Sequence, residues 1–272
     1  AAQRNSYTAH VIDHIVYVRC GDGDLEEGIS YEASSIAGHL KLDNLICIYD
    51  SNRITIEGST ELSISENIRG RFEAQAWEVL EIDGHNFDEI DAALTTAKAA
   101  TKPVMIIANT VIAKGAGELE GSHHSHGAPL GDDIIAAAKK AAGFDPEKKF
   151  YVPEDAMVRF RCAIEEGDLA ERAWNHSLKT LPLMEQNEAL DAYMNPDFSR
   201  IQWPTFEKAD ATRGTNGVVL NAIAKAIPGF IGGSADLSPS NKTELKNMGV
   251  FPKGKNIYFG IREHAMASIV NA

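Results

Sequence analysis

The sequence predicts an α/β protein with parallel sheets flanked by helices, arranged as two incomplete domains and a helical connector. Short β-branched runs alternate with helical patterns up to about residue 110, which is typical of βαβ units. A second alternation of the same kind begins near Trp203, after a charged helical stretch. The predicted parts are a first domain over residues 1–152, the connector over 153–202 and a second domain over 203–272.

The first domain is predicted to contain three buried strands, over residues 14–20, 44–50 and 103–110. Apolar residues at helical spacing between the first two runs predict one crossover helix that ends near Gly38. These residues are Leu25, Ile29, Ala33, Ile36 and Leu40.

Two more helices and a loop complete this domain. One helix is predicted from an N-cap at Ser65 through Trp77, and another over residues 88–100 after a turn at 83–86. Residues 111–133 are rich in Gly, His and Ser and lack periodicity, which predicts a long functional loop.

The connector and the second domain are predicted from weaker patterns. From Pro153 to about Asp197 the sequence is charged and amphipathic, with Trp174 and Leu183 as expected packing residues. The second domain is then predicted to alternate helices and strands. These are a helix over 217–227, strands over 229–233 and 256–260, and a helix over 264–271.

Composition excludes several classes of protein. The chain is 44% hydrophobic and 24% charged, as in ordinary globular proteins. A net charge of −13 with no Lys/Arg-rich block argues against nucleic acid and against an anionic membrane surface as partners. No apolar run approaches the ~18 residues of a membrane span, and residues 1–10 do not resemble a signal peptide, so we expect a cytosolic protein.

The cysteines predict neither a disulfide framework nor a zinc-thiolate site. Cys20, Cys47 and Cys162 are an odd number, are widely spaced along the chain and form no CxxC pair.

The strongest local signal is Gly21-Asp22-Gly23, between the first predicted strand and the first helix. Small residues there let backbone N–H groups approach phosphate oxygens, and a helix N-terminus favours an anion. Asn52 follows the next strand, and parallel strands end at one edge of a sheet. The Asp22 carboxylate and the Asn52 amide oxygen can therefore converge on one Mg²⁺, with the carbonyl of Ile54 as a third oxygen. Taken alone, the Gly-Asp-Gly segment favours a tight strand-to-helix turn with an N-capping Asp.

Five blocks of sequence, in this order, resemble the transketolase family. They are GDGDLEEGISYEASSIAGHLKLDNLICIYDSNRITIEG, SHHSHGAPLG, ATR, GGSADLSPSN and YFGIREHAM. The resemblance implies a thiamine diphosphate-binding fold, represented here by the end of the diphosphate-binding domain and the start of the pyrimidine-binding domain. It also implies transfer of a two-carbon ketol unit from a ketose phosphate to an aldose phosphate, with thiamine diphosphate and Mg²⁺, in a homodimer.

The resemblance assigns the cofactor-binding residues. It implies Asp22, Asn52 and the Ile54 carbonyl as Mg²⁺ ligands, with Gly21 and Gly23 beside the diphosphate. Glu263 is implied as the catalytic carboxylate that hydrogen-bonds N1′ of the aminopyrimidine and so promotes loss of the C2 proton. Without the resemblance, Glu263 is interpreted as a carboxylate that is stabilised by the dipole at the first turn of a helix.

The resemblance also assigns substrate contacts. His126 is implied to reach the cofactor and the reacting oxygens of the substrate, whereas His123 and His124 read as solvated loop residues. A zinc site is disfavoured because no Cys, Asp or Glu is nearby at a recognisable spacing. Arg213 and Ser234 are implied to hold the far phosphate of the sugar. Without the resemblance, Arg213 is interpreted as an exposed Arg before a helix, and Ser234 as a Ser in a Gly-rich turn.

Two other functions stay open at this point. Another thiamine diphosphate enzyme, of the dihydroxyacetone synthase or deoxyxylulose phosphate synthase type, would share Gly-Asp-Gly, Asn52 and Glu263. A non-catalytic assembly subunit is the second alternative. The chain lacks an initiator Met, and its last helical pattern has no stop signal. We therefore expect a part of a longer protein that is inactive alone.

Overall fold

The structure, a computed structural model, describes residues 12–182 and 195–271. The chain divides into two compact units, each of which is described by itself. The first unit is Ile15–Glu166, and among the described residues the second combines 12–14 with 167–182 and 195–271. The predicted packing residue Leu183 lies outside the described residues.

The first unit contains a four-stranded parallel sheet in the order β1-β2-β6-β5. Its strands are β1 Val16–Cys20, β2 Leu45–Ser51, β5 Glu78–Asp83 and β6 Val104–Asn109. A short antiparallel pair, β3 Ile54–Thr55 and β4 Gly58–Ser59, follows β2. The parallel sheet is confirmed, but β5, which mixes acidic and apolar residues, is a strand that the apolar patterns missed.

Helices connect these strands and extend beyond the sheet. They are α1 Asp22–Glu26, α2 Gly28–His39, α3 Ile68–Ala74, α4 Phe87–Lys98, α5 Asp132–Ala141 and α6 Glu154–Thr180. Single 3₁₀ turns lie at Thr60–Leu62, Gly117–Leu119 and His123–Ser125. The predicted loop over 111–133 thus contains only short turns before α5 begins.

The core of this unit lies between α4 and the two central strands. Ala93 and Ala97 of α4 pack with Ile46, Val104 and Ile106, all of which are buried. Most side chains of these two strands are buried, which agrees with their largely apolar sequences.

The prediction that the first strand is buried was wrong. Tyr17 is 47% exposed and Val18 41% exposed. The reason is position, because within the described residues β1 lies at an edge of the sheet and pairs with β2 alone.

The predicted crossover helix is two helices, since the backbone is extended at Glu27. Gly38 does not cap the second of them. It lies inside α2, where an added Cβ would be 1.7 Å from the carbonyl oxygen of Gln75. A glycine is needed there because α3 ends directly against α2.

The predicted helix from Ser65 through Trp77 is shorter than expected. Asn67 caps it, with its side chain accepting a hydrogen bond from the Gly70 N–H. The chain then turns at Ala76, which has a positive φ of 67°. Trp77 is buried beyond that turn, and its Nε1 donates to the carbonyl of Ser34.

The second unit has a smaller parallel sheet. Its elements are α7 Thr212–Ala226, β7 Gly232–Ser234, α8 Ser238–Asn241, β8 Asn256–Tyr258 and α9 Glu263–Asn271, after a 3₁₀ turn at Phe198–Arg200. Strands β7 and β8 pair in parallel, as predicted. Lys255 holds this sheet to α7, since its Nζ donates to the carbonyls of Ala224 and Ile227.

Within the predicted connector the structure places α6, a long charged helix whose Trp174 is 40% exposed. Trp174 is therefore not the buried packing residue that the pattern predicted. In the part of the chain that the structure describes, none of the helices combines the length and the apolar character that crossing a bilayer requires.

Candidate functional site

The end of β1 and the end of β2 bring the Asp22 and Asn52 segments together. Cys20 pairs with Tyr49 in the parallel register, so Gly21-Asp22 and Ser51-Asn52 leave the sheet at one edge. The backbone N–H of Arg53 donates to Asp22 Oδ2 at 3.1 Å, which joins the two segments directly.

Asp22 is a buried carboxylate held by two hydrogen bonds. It is the first residue of α1 and is 7% exposed. Oδ1 accepts from the hydroxyl of Tyr49 at 2.6 Å, while Oδ2 accepts from Arg53. Burial raises the pKa of Asp22, and these two hydrogen bonds act in the opposite direction. The carboxylate is thus oriented by donors that favour its ionised form.

Tyr49 is a donor that sequence reasoning missed. It lies in β2 and is buried, and burial together with its bond to Asp22 raises the pKa of its hydroxyl. The hydroxyl therefore keeps its proton and donates it to Asp22. An aromatic residue in an apolar strand carries no sequence signal for such a contact.

Backbone geometry after β2 is unusual and presents several polar groups. Arg53 has a positive φ of 61°, an uncommon conformation for a residue with a side chain. The turn allows its N–H to reach Asp22, while Asn52 Oδ1 accepts from the N–H of Ile54 at 3.0 Å. Strain of this kind is found at functional sites, where the surrounding contacts maintain it.

The residues present suit a hard cation and a phosphate group. Carboxylate and amide oxygens, which Asp22 and Asn52 supply, are donor types that Mg²⁺ prefers. At Gly23 a Cβ would have no heavy atom within 4 Å, so there is open space beside the start of α1. Asp24 Oδ2 accepts from the Gly21 N–H at 2.8 Å and fixes the turn itself.

Over residues 12–182 and 195–271, no three His, Cys, Asp or Glu side chains are grouped so that they could hold a metal ion.

His126 lies in the loop before α5 and is exposed. Among the described residues, no hydrogen bond or ion pair joins His126 to Asp22 or Asn52. The base of this loop is fixed by His85, whose Nε2 accepts from the Val111 N–H at 2.9 Å. The turn at 83–86 therefore positions the loop as well as starting α4.

In the second unit, the structure places Ser234 and Glu263 at related positions. Ser234 ends β7 and is buried, and its Oγ accepts from the Leu237 N–H at 3.2 Å. Ser234 pairs with Tyr258 of β8, and Glu263 begins α9 shortly after that strand. Both residues thus follow the carboxyl ends of paired parallel strands, where such sheets bind ligands.

Arg213 and Glu263 are both exposed. Arg213 is the second residue of α7 and has no ion pair among the residues that the structure describes. The Glu263 carboxylate likewise has no ion pair within those ranges. Both charged groups are therefore available to a ligand.

Two cysteines that are distant in sequence are neighbours in the structure. The sulfur atoms of Cys20 and Cys47 lie 3.5 Å apart, and both thiols are free. The contact itself could not be predicted, because it depends on the register of β1 and β2.

Comparisons with known proteins agree on one family. The protein family described as "Transketolase, thiamine diphosphate binding domain" matches residues 1–195, and the family described as "Transketolase, pyrimidine binding domain" matches residues 208–272. A transketolase of Bacillus subtilis is 43% identical over 282 residues, covering 98% of this chain and 42% of that protein.

Solved structures give the same result. Transketolase from Campylobacter jejuni has a TM-score of 0.93 and 57% identity, covering 98% of this chain and 42% of that one. The Pichia stipitis transketolase complex with sedoheptulose 7-phosphate has a TM-score of 0.90 and 35% identity, covering 99% of this chain and 43% of that one. These similarities confirm the predicted fold, and the chain spans about two fifths of the length of these relatives.

Proposed function

Because this chain belongs to the transketolase family, we propose that it forms part of an enzyme that transfers a two-carbon ketol unit from a ketose phosphate to an aldose phosphate. The observation that carries the proposal is the buried Asp22 carboxylate, oriented by Tyr49 and Arg53 next to Asn52. The activity is proposed for the complete protein that contains this chain.

We propose that Asp22, Asn52 and the Ile54 carbonyl hold Mg²⁺, with Gly21 and Gly23 beside a diphosphate. Burial of Asp22 supports this role, since an ionised carboxylate in such a place is stabilised by a cation. Ca²⁺ prefers the same oxygen donors and is a second candidate ion. Thiamine diphosphate, when bound, supplies the electron sink for cleavage of the carbon–carbon bond.

The remaining proposed roles belong to residues that contact cofactor and substrate. Glu263 would hold a proton at N1′ of the aminopyrimidine, and its exposed carboxylate is compatible with that role. His126 would move protons at the reacting oxygens of the sugar, for which an imidazole is suited. Arg213 and Ser234 would bind the far phosphate through paired N–H donors and one hydroxyl.

Sugar phosphates are proposed as substrates because a structural neighbour holds sedoheptulose 7-phosphate. A homodimer and a cytosolic location are proposed with them. The dimer is proposed because, in the family that the sequence resembles, the diphosphate-binding domain of one subunit meets the pyrimidine-binding domain of the other, so that one site needs both subunits. An acidic chain of net charge −13 supports neither nucleic acid nor an anionic membrane as a partner.

The test compares Asp22→Asn with Asp83→Asn in the complete protein. Asp83 lies at the same edge of the sheet, and among the described residues its Oδ1 accepts from the backbone N–H of His85 at 2.9 Å, which an Asn can also do. Titration calorimetry with Mg²⁺ and thiamine diphosphate should show binding lost in Asp22→Asn and retained in Asp83→Asn. Ketol transfer should follow the same pattern, with circular dichroism checking the fold of both variants.

Normal Mg²⁺ binding by a folded Asp22→Asn variant would contradict the metal assignment. If the unaltered protein binds Mg²⁺ and thiamine diphosphate but transfers no ketol unit, the metal assignment holds and the non-catalytic alternative is favoured.

A further inference from the structure

The thiols of Cys20 and Cys47 form a pair at the edge of the candidate site. They belong to neighbouring parallel strands, where Cys20 pairs with Tyr49 and Cys47 pairs with Val18. The two cysteines are therefore diagonal neighbours on one face of the sheet, since residues two apart in a strand share a face. Their sulfur atoms lie 3.5 Å apart, which is a direct contact without a covalent bond.

The two sulfurs differ in accessibility. Cys20 is partly exposed, whereas Cys47 is 8% exposed. Cys162, the third cysteine, is exposed on α6 and belongs to neither strand. An oxidant in solution would therefore reach Cys20 before Cys47, while Cys47 is already in position to react next.

We propose that Cys20 and Cys47 are a redox-modification site that a peroxide converts reversibly to a disulfide. The Cys20 sulfur attacks a peroxide oxygen, the O–O bond breaks, and water and a Cys20 sulfenic acid result. The Cys47 sulfur then attacks the Cys20 sulfur and displaces the oxygen, which leaves as a second water with the thiol proton. Two thiols and one hydrogen peroxide thus give one disulfide and two waters.

Closing this bond requires movement at the end of β1. A disulfide has an S–S length of about 2.05 Å, so the sulfurs must approach by about 1.5 Å. Gly21 and Asp22 follow Cys20 directly, whereas Tyr49 is held in the centre of the sheet. Drawing Cys20 toward Cys47 therefore shifts Asp22 relative to the Tyr49 hydroxyl that orients it.

Oxidation of this pair thus weakens cation binding at Asp22, and reduction restores it. This consequence rests on the proposed function, whereas formation of the disulfide does not. In cytosolic proteins, disulfides are rare and usually transient and redox-sensing, and the cytosolic location proposed for this protein fits such a role.

The first experiment maps the bond in the complete protein. Reduced protein is treated with a small excess of hydrogen peroxide, alkylated and digested without reductant, and its peptides are identified by mass spectrometry. We expect a Cys20–Cys47 linkage that disappears with dithiothreitol and that forms equally in Cys162→Ser. In Cys47→Ser, Cys20 should stop at the sulfenic acid, which dimedone traps. Oxidation of Cys162 alone, with Cys20 and Cys47 still alkylated, would overturn the proposal.

The second experiment measures Mg²⁺ affinity, with thiamine diphosphate present, before and after peroxide. We expect the Mg²⁺ affinity of the cross-linked protein to be about tenfold weaker. This is the lower end of the loss that follows when groups that orient metal ligands are disturbed. Dithiothreitol should restore it, and Cys20→Ser should show no response to peroxide. Unchanged affinity after complete cross-linking would overturn the effect on Asp22. If the reduced protein binds no Mg²⁺, the proposed function fails, and the peptide map alone decides the modification site.

Discussion

Replacing Tyr49 by Phe removes one hydroxyl and leaves the ring in place. That hydroxyl donates to Asp22 Oδ1 at 2.6 Å, and both residues are buried. A hydrogen bond to a charged group contributes about 1.5–3 kcal/mol, so Tyr49→Phe should lower the free energy of unfolding by an amount in that range. The loss is large because water has little access to take the place of the hydroxyl.

The same change should weaken Mg²⁺ binding at the proposed site. The cation needs the ionised carboxylate, and the Tyr49 hydroxyl stabilises that form. Loss of a group that orients a metal ligand typically lowers metal affinity by about 10–100-fold. Burial already raises the pKa of Asp22, and without Tyr49 this pKa rises further. As the pH is lowered, Mg²⁺ binding should therefore disappear at a higher pH in Tyr49→Phe than in the unaltered protein.

The assay is Mg²⁺ titration calorimetry across a pH series, together with urea unfolding of the metal-free protein. Tyr31→Phe is the matched control, because its hydroxyl also donates to a carboxylate, Glu66 Oε1 at 2.9 Å, but at an exposed position. The control should lose little stability and no Mg²⁺ affinity. Equal Mg²⁺ affinity in both variants would refute the orienting role of Tyr49.

Three other substitutions have defined outcomes. Glu263→Gln removes the acid proposed to protonate N1′, so hydrogen–deuterium exchange at C2 of the bound cofactor should slow by orders of magnitude. Unchanged exchange would mean that Glu263 is only a carboxylate at the start of a helix. Arg213→Ala should raise KM for phosphorylated sugars by a factor that matches about 1.5–3 kcal/mol and spare a non-phosphorylated donor, and equal losses would exclude the phosphate role. Gly38→Ala should destabilise the fold in urea unfolding by about 1–3 kcal/mol, because its Cβ would meet the Gln75 carbonyl at 1.7 Å. Gly28→Ala is the control, since its Cβ has no neighbour within 4 Å, and a similar loss there would contradict the steric reason.

Central strands could be predicted from the sequence more fully than edge strands. Residues 44–50 and 103–110 are largely apolar because most side chains of the central strands β2 and β6 are buried. Strand β5 carries Glu78 and Glu81 at the sheet edge, and this mixed pattern hid it. Packing between elements also explains why residue 38 is a glycine. Gly38 lies inside α2 and is in close contact with Gln75, so it does not cap the helix.

Local sequence determined the parallel α/β architecture and the pairing of Gly21-Asp22-Gly23 with Asn52, because periodicity and the ends of successive strands can be read along the chain. Tertiary structure alone decided which groups surround Asp22. The Tyr49 hydroxyl, the Arg53 N–H and the contact of Cys20 with Cys47 all depend on the register of β1 and β2. That register is set by packing of whole strands, and a shift by one residue would turn each side chain to the opposite face.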